Sequence, residues 1–205
     1  MLNLENPREI QINALPAHTW FLPYEDVSQP VPDFPQDSSR VIVLNGQWNF
    51  QFFNSPAHLP ADLGAGFNES QESTMIDVPG CWERAGFDRP QYLNVMYPFP
   101  VDPPRIPKIN PTGVYQRIFQ IPETWSEKTI NLTFLGVSSA FEVYLNSEFV
   151  GASKGSHLAS EFQLSPKLIQ GEENRLTVVV YKWCDGAYLE DQDMWRLHGI
   201  FRDVY

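Results

Sequence analysis

The chain has 205 residues, of which 42% are hydrophobic, 14% aromatic and 19% charged; this is enough apolar material for one well-formed core and excludes a wholly disordered segment. Lys+Arg 14 against Asp+Glu 25 leaves a net charge of −11, which repels phosphate backbones and anionic headgroups and argues against nucleic-acid and membrane partners. No stretch approaches the roughly 20 apolar residues of a membrane span, and Met1-Leu2-Asn3-Leu4-Glu5-Asn6-Pro7 has neither a basic n-region nor an apolar h-region, so a soluble, cytoplasmic protein is expected.

Residues 1–40 read as an extended arm. Pro7, Pro16, Pro23, Pro30, Pro32 and Pro35 remove amide donors and fix φ, while Leu15, Trp20, Phe21 and Tyr24 are anchors that a solvated linker would lack, so the arm should lie along a surface of this domain or of a partner. Residues 41–205 form the second unit. Short β-rich runs at 48–53, 114–121, 129–135, 140–146, 175–181 and 200–205 are each bounded by turn residues, with no long helix between them. Leu176, Val178 and Val180 fall on one face and Thr177, Val179 and Tyr181 on the other, which marks that strand as central. Asn146-Ser147 reads as a hairpin turn. The fold class expected is all-β, an antiparallel sandwich of the jelly-roll kind. Cys81 and Cys184 are expected to be free thiols, and His18, His58, His157 and His198 have no zinc-ligand spacing.

Two long stretches, 79–113 and 182–196, are too irregular for strands and too aromatic for idle linkers, and such connections carry function on rigid scaffolds. The second places Glu190, Asp191 and Asp193 within four residues of one another, beside Tyr188, Trp195 and Arg196. Carboxylates accept from sugar hydroxyls, aromatic faces cover the C–H face of a pyranose, and clustered acids can also hold a hard cation. The competing reading is a solvated acidic turn over a buried Trp195, and for Asn94, between Leu93 and Val95, a turn or capping role. Glycoside hydrolysis needs two carboxylates facing each other across one bond, and Glu190 with Asp193, in one polar loop, lack the apolar pocket that would raise one pKa. There is no Gly-x-Ser-x-Gly elbow, phosphate-cradling Gly loop or metalloprotease His pair. The residues alone reach a soluble β-sandwich with a polyol-binding edge.

Several runs add a resemblance. Tyr92-Leu93-Asn94-Val95-Met96-Tyr97-Pro98, Asn110-Pro111-Thr112-Gly113, Gly136-Val137-Ser138-Ser139-Ala140-Phe141, Gly171-Glu172-Glu173-Asn174-Arg175-Leu176 and the long run from Asp185 through Asp193-Met194-Trp195-Arg196 to Val204 are among them. They closely resemble the N-terminal sugar-binding domain of β-galactosidases of glycoside hydrolase family 2, with Leu44-Asn45-Gly46-Gln47-Trp48 similar to their first core strand and Glu5-Asn6-Pro7 to their start. The resemblance implies a galactose-binding-domain-like jelly roll, followed in the complete enzyme by an immunoglobulin-like domain and a TIM barrel with two catalytic glutamates. That enzyme would be an oligomer that hydrolyses terminal β-D-galactosides such as lactose with retention. The barrel's signatures are absent, so the chain is expected to carry no catalytic residue of its own. Asn94 matches the family asparagine beside the sugar and its magnesium shell, and Asp193 the aspartate that contacts a galactosyl hydroxyl and coordinates sodium. A second, peripheral magnesium site of the enteric relatives maps to Asn3, Asn6, Glu9, Lys154 and Asp185, but Asn3 stands where those have an aspartate and Lys154 where they have a glutamine; an ammonium there could neutralise Asp185 without metal. An autonomous carbohydrate-binding module and a structural subunit-assembly domain are the alternative functions.

Overall fold

A computed structural model describes residues 2–28, 30–63, 73–92, 96–190 and 192–205. Its strands in chain order are β1 (Gln11–Ile12), β2 (Gly46–Phe53), β3 (Thr74–Val78), β4 (Gln91–Tyr92), β5 (Thr112–Gln120), β6 (Asn131–Phe134) and β7 (Val137–Ser138). They continue with β8 (Ala140–Leu145), β9 (Glu148–Lys154), β10 (Ser160–Gln163), β11 (Glu173–Tyr181), β12 (Trp195–Arg196) and β13 (Gly199–Ile200). Helical turns among the described residues are short 3₁₀ segments such as Asp185–Tyr188, and no helix is long and apolar enough to cross a membrane.

Seven of these strands make one antiparallel sheet in the order β1-β9-β8-β11-β5-β2-β3. The period-2 pattern of β11 explains its place between β5 and β8. Leu176, Val178 and Val180 enter the main core while Val179 and Tyr181 enter a second cluster on the opposite face, so neither face meets water. Asn146 and Ser147, at φ 50° and 72°, join β8 to β9 with both central residues left-handed, as the type I′ turn of a two-residue hairpin requires.

The opposing layer is built from β10 on β6 and β7 on β13. It is extended by Tyr205 and Asp203, whose backbones pair with Thr133 and Leu135 at 2.7–3.1 Å, and by Gly80 N donating to Ile200 O at 2.8 Å. Trp48, Phe50, Tyr115, Phe134, Phe141, Phe162 and Ile200 fill the space between the layers, the all-β sandwich expected from the pattern of runs. Trp48 can be wholly buried because its indole N–H donates to Leu44 O at 2.8 Å.

The start of the arm packs on the outer face of the seven-stranded sheet. Leu2, Leu4 and Ile12 pack with Val114, Ala140, Ala152 and Val179, β1 extends the sheet beside β9, and beyond it Leu15 N donates to Glu161 O of β10, in the opposing layer, at 2.8 Å. Residues 2–15 of the arm therefore run along their own domain, whereas the expected anchors Trp20, Phe21 and Tyr24 are 55%, 61% and 40% exposed. Gly151 permits this approach: a Cβ there would sit 2.6 Å from Ile12 O and 2.6 Å from the Phe162 ring.

Candidate functional site

The two irregular stretches fold onto each other at one end of the sandwich. Asn110 grips the main chain of residue 183, its side-chain amide donating to Trp183 O at 2.9 Å and its Oδ1 accepting from Trp183 N at 2.8 Å. Tyr188 ties the second stretch to the first: its hydroxyl donates to Arg105 O at 2.5 Å, and Tyr97 donates to Tyr188 O at 2.7 Å. Phe99 sets its edge against Trp183 and Tyr188, at ring separations of 5.1 and 5.4 Å. Lys182 reaches Asp88 at 2.6 Å.

On this platform β12 pairs with β4, Trp195 opposite Tyr92. Their rings lie 5.4 Å apart, and the Tyr92 hydroxyl donates to Asp193 Oδ1. That hydrogen bond, with a smaller push from desolvation, raises the Tyr92 phenol above its ordinary value, so the proton stays on tyrosine and the carboxylate accepts. Trp195 is 57% exposed and Tyr92 47%, and Asp193 is exposed between them. The buried Trp195 of the competing reading is thus overturned: cross-strand pairing with Tyr92 turns its indole outward. An exposed carboxylate flanked by two aromatic faces can accept from ligand hydroxyls and cover an apolar ring face.

The acidic loop does not act as one cluster. Both oxygens of Glu190 are taken by Ser156, from its N–H at 2.8 Å and its hydroxyl at 2.7 Å, so this carboxylate fastens the turn after β9. Asp191 and Asn94 lie outside the described residues. Beneath Trp195 is a cavity of about 160 Å³ lined by Trp183, Arg196, Ser138, His157 and His198, among others. Cys81 also lines it, and both Cys81 and Cys184 are free thiols. Burial pushes the Cys81 thiol up to about 11, which leaves it protonated and unreactive at neutral pH.

Residues 41–205 match the family model described as the sugar binding domain of glycosyl hydrolases family 2. The chain belongs to that family. Over 98% of its length this family 2 chain is 43% identical to a β-galactosidase of Erwinia tasmaniensis and 44% identical to one of Yersinia pestis, and it spans 19% of each. Among solved structures, a β-glucuronidase of Bacteroides uniformis shares the fold at 24% identity and a TM-score of 0.59, over 80% of this chain and 17% of that one. A β-glucuronidase of Ruminococcus gnavus does so at 18% identity and 0.59, over 80% and 28%.

Among the described residues of this family 2 domain no group of three or more His, Cys, Asp or Glu side chains able to hold an ion is found, and Asp193 with the Tyr92 hydroxyl offers fewer oxygens than a hard cation takes. At the position of the peripheral site, Lys154 Nζ donates to Asp185 Oδ1 at 2.9 Å, Asn3 O at 2.8 Å and Asn6 O at 3.2 Å. Glu9 instead accepts from Asn3 N at 2.7 Å. An ammonium sits among these oxygens. Sequence reasoning missed one buried pair, Glu83 with His198, at 2.6 Å; the partners are 115 positions apart and no local pattern joins them.

Proposed function

We propose that this chain is the N-terminal sugar-binding domain of a β-galactosidase that hydrolyses terminal β-D-galactosides with retention, and that it donates groups to an active site completed by the rest of the protein. The observation that carries the reading is the exposed edge of Tyr92, Asp193 and Trp195, a carboxylate between two aromatic faces. The identity of 43–44% to proteins named β-galactosidase supports it. Asp193 accepts from a galactosyl hydroxyl and supplies one oxygen to a sodium ion whose other ligands come from elsewhere, and Asn94 reaches the sugar beside a magnesium shell. One sugar-facing carboxylate cannot be both acid and nucleophile, so the 205 residues alone hydrolyse nothing.

The test compares the full-length protein, the isolated chain and Asp193→Asn on a nitrophenyl β-galactoside. Full-length protein should turn over and the isolated chain should not. Losing one charge-assisted contact at the sugar should lower kcat/KM by about ten- to a hundredfold while the melting temperature stays put. Unchanged kinetics with a lower melting temperature would make Asp193 a structural turn residue and overturn the reading.

A further inference from the structure

We propose that Glu83 and His198 are positioning residues that hold the loop carrying Asp193 and Trp195 in its sugar-facing conformation, an inference that rests on the sugar-facing reading of Asp193. Residue 198 is fixed at three points by two consecutive residues of the turn after β3. His198 N donates to Glu83 Oε2 at 2.8 Å, His198 Nδ1 meets Glu83 Oε1 at 2.6 Å, and Trp82 N donates to His198 O at 3.0 Å. The Glu83 side chain is fully buried and that of His198 4% exposed. A carboxylate in such a place is costly unless its lone pairs are met; among the described residues both of its donors come from His198. The imidazole also has no room to turn. It stacks on Trp82 with centroids 5.8 Å apart and 20° between planes, and meets the edge of Trp183 at 5.2 Å.

The clamp is the most deeply buried of the side-chain contacts that hold this loop. Toward the N-terminus the loop is pinned by Glu190 on Ser156, by Arg196 over the Trp183 ring at 6.0 Å, and by the β12–β4 ladder and the Tyr92–Asp193 hydrogen bond at the surface; a two-stranded pair of that size is marginal in water by itself. Toward the C-terminus comes Gly199, at φ +126°, where a Cβ would sit 2.8 Å from both Gly80 O and the Tyr115 hydroxyl, so the exit of the loop is set by backbone packing. Between these two, the buried Glu83–His198 contact decides how the four residues before His198 leave the core. The groups facing the imidazole are Glu83, Lys182, which is bound to Asp88, and Asp88 itself. Burial holds His198 below the ordinary imidazole value against the pull of Glu83, which keeps the ring neutral with its proton on Nδ1, donating to Glu83.

The test uses Glu83→Ala, His198→Ala and Glu83→Gln in the full-length protein. Glutamine rescues in this geometry: its amide oxygen still takes the His198 N–H, and its amide N–H donates to Nδ1 once the ring carries its proton on Nε2. Hydrogen exchange is read at residues 192–198 and at β11, alongside KM and kcat on a nitrophenyl β-galactoside. Either alanine variant should speed exchange at 192–198 by about tenfold or more, with β11 changing far less, and should raise KM more than it lowers kcat. Glu83→Gln should stay close to wild type in both readouts. Exchange that rises equally in β11 and the loop, or a loop unchanged in both alanine variants, would overturn the clamp. A wild-type full-length protein without galactosidase activity would refute the sugar reading instead, and the exchange data would still decide whether Glu83 and His198 hold the loop.

Discussion

Replacing Lys154 by methionine isolates what its ammonium does, because methionine keeps most of the stem and removes only the charge and its three donors. The Lys154 and Asp185 side chains are 5% and 6% exposed, with Nζ 2.9 Å from Oδ1. At that distance an effective dielectric of about 20 gives roughly 6 kcal/mol of gross attraction, most of it offset by desolvating both ions. The single substitution leaves the offset behind without the attraction. Asp185 would keep only the 2.9 Å bond from Gly186 N on Oδ1, its Oδ2 being buried without a partner among the described residues, and Asn3 O and Asn6 O would lose their donor. Breaking a buried pair from one side costs about 3–5 kcal/mol. Urea unfolding should show that loss, together with faster cleavage by trypsin after Arg8, since the ammonium fastens residues 3–6 to the turn at 185. Lys154→Met combined with Asp185→Asn should be more stable than Lys154→Met alone, because no uncompensated charge remains. A chelator should leave the wild-type melt unchanged. Stability of Lys154→Met within about 1 kcal/mol of wild type would refute the reasoning, since exposed pairs are worth that little.

Two further outcomes follow from single residues. Burial depresses the folded-state His198 value, whereas the unfolded imidazole takes its proton near 6.5; the unfolded state therefore binds more protons just below that pH, and stability present above about 6.5 is lost as pH falls toward the folded value. Exposed His18 is raised by the Thr19 carbonyl and Glu161 and acts in the opposite sense, so melting temperatures from pH 5 to 8 should be compared between wild type and His198→Gln, whose curve should be flatter over the acid half; parallel curves would refute this. Ser147→Gly relieves a left-handed serine at φ 72° and should stabilise by about 0.5–1 kcal/mol in urea titrations, and a destabilised variant would mean that the serine side chain matters more than its backbone.

The fold was legible where burial imposes a period. β11 announced itself by apolar residues on both faces, and the hairpin by Asn146-Ser147, because these features are local. β9 carries no such local mark: Gly151, Ala152 and Ser153 have little intrinsic preference for a strand, and the glycine is required by the close approach of Ile12 O and the Phe162 ring. At the candidate site, acid beside aromatic was visible in the sequence around Asp193 and Trp195. That Glu190 would be consumed by Ser156, or that Trp195 would face outward, depends on partners from other segments. The Glu83–His198 contact depends on the same kind of distant pairing.

The layer opposite the seven-stranded sheet is completed by residues 199–205, which pair with β7, β6 and the segment at Gly80. On a ribosome those residues emerge last of this stretch. At about 5–20 residues per second, synthesis from Phe162 to residue 205 takes roughly two to nine seconds, and during that interval the Phe134 and Phe162 side of the core lacks its closing strands. Until residues 199–205 have been made, the nascent sandwich carries an open apolar seam, the kind of exposed surface and unpaired strand edge that favours misassembly between neighbouring chains.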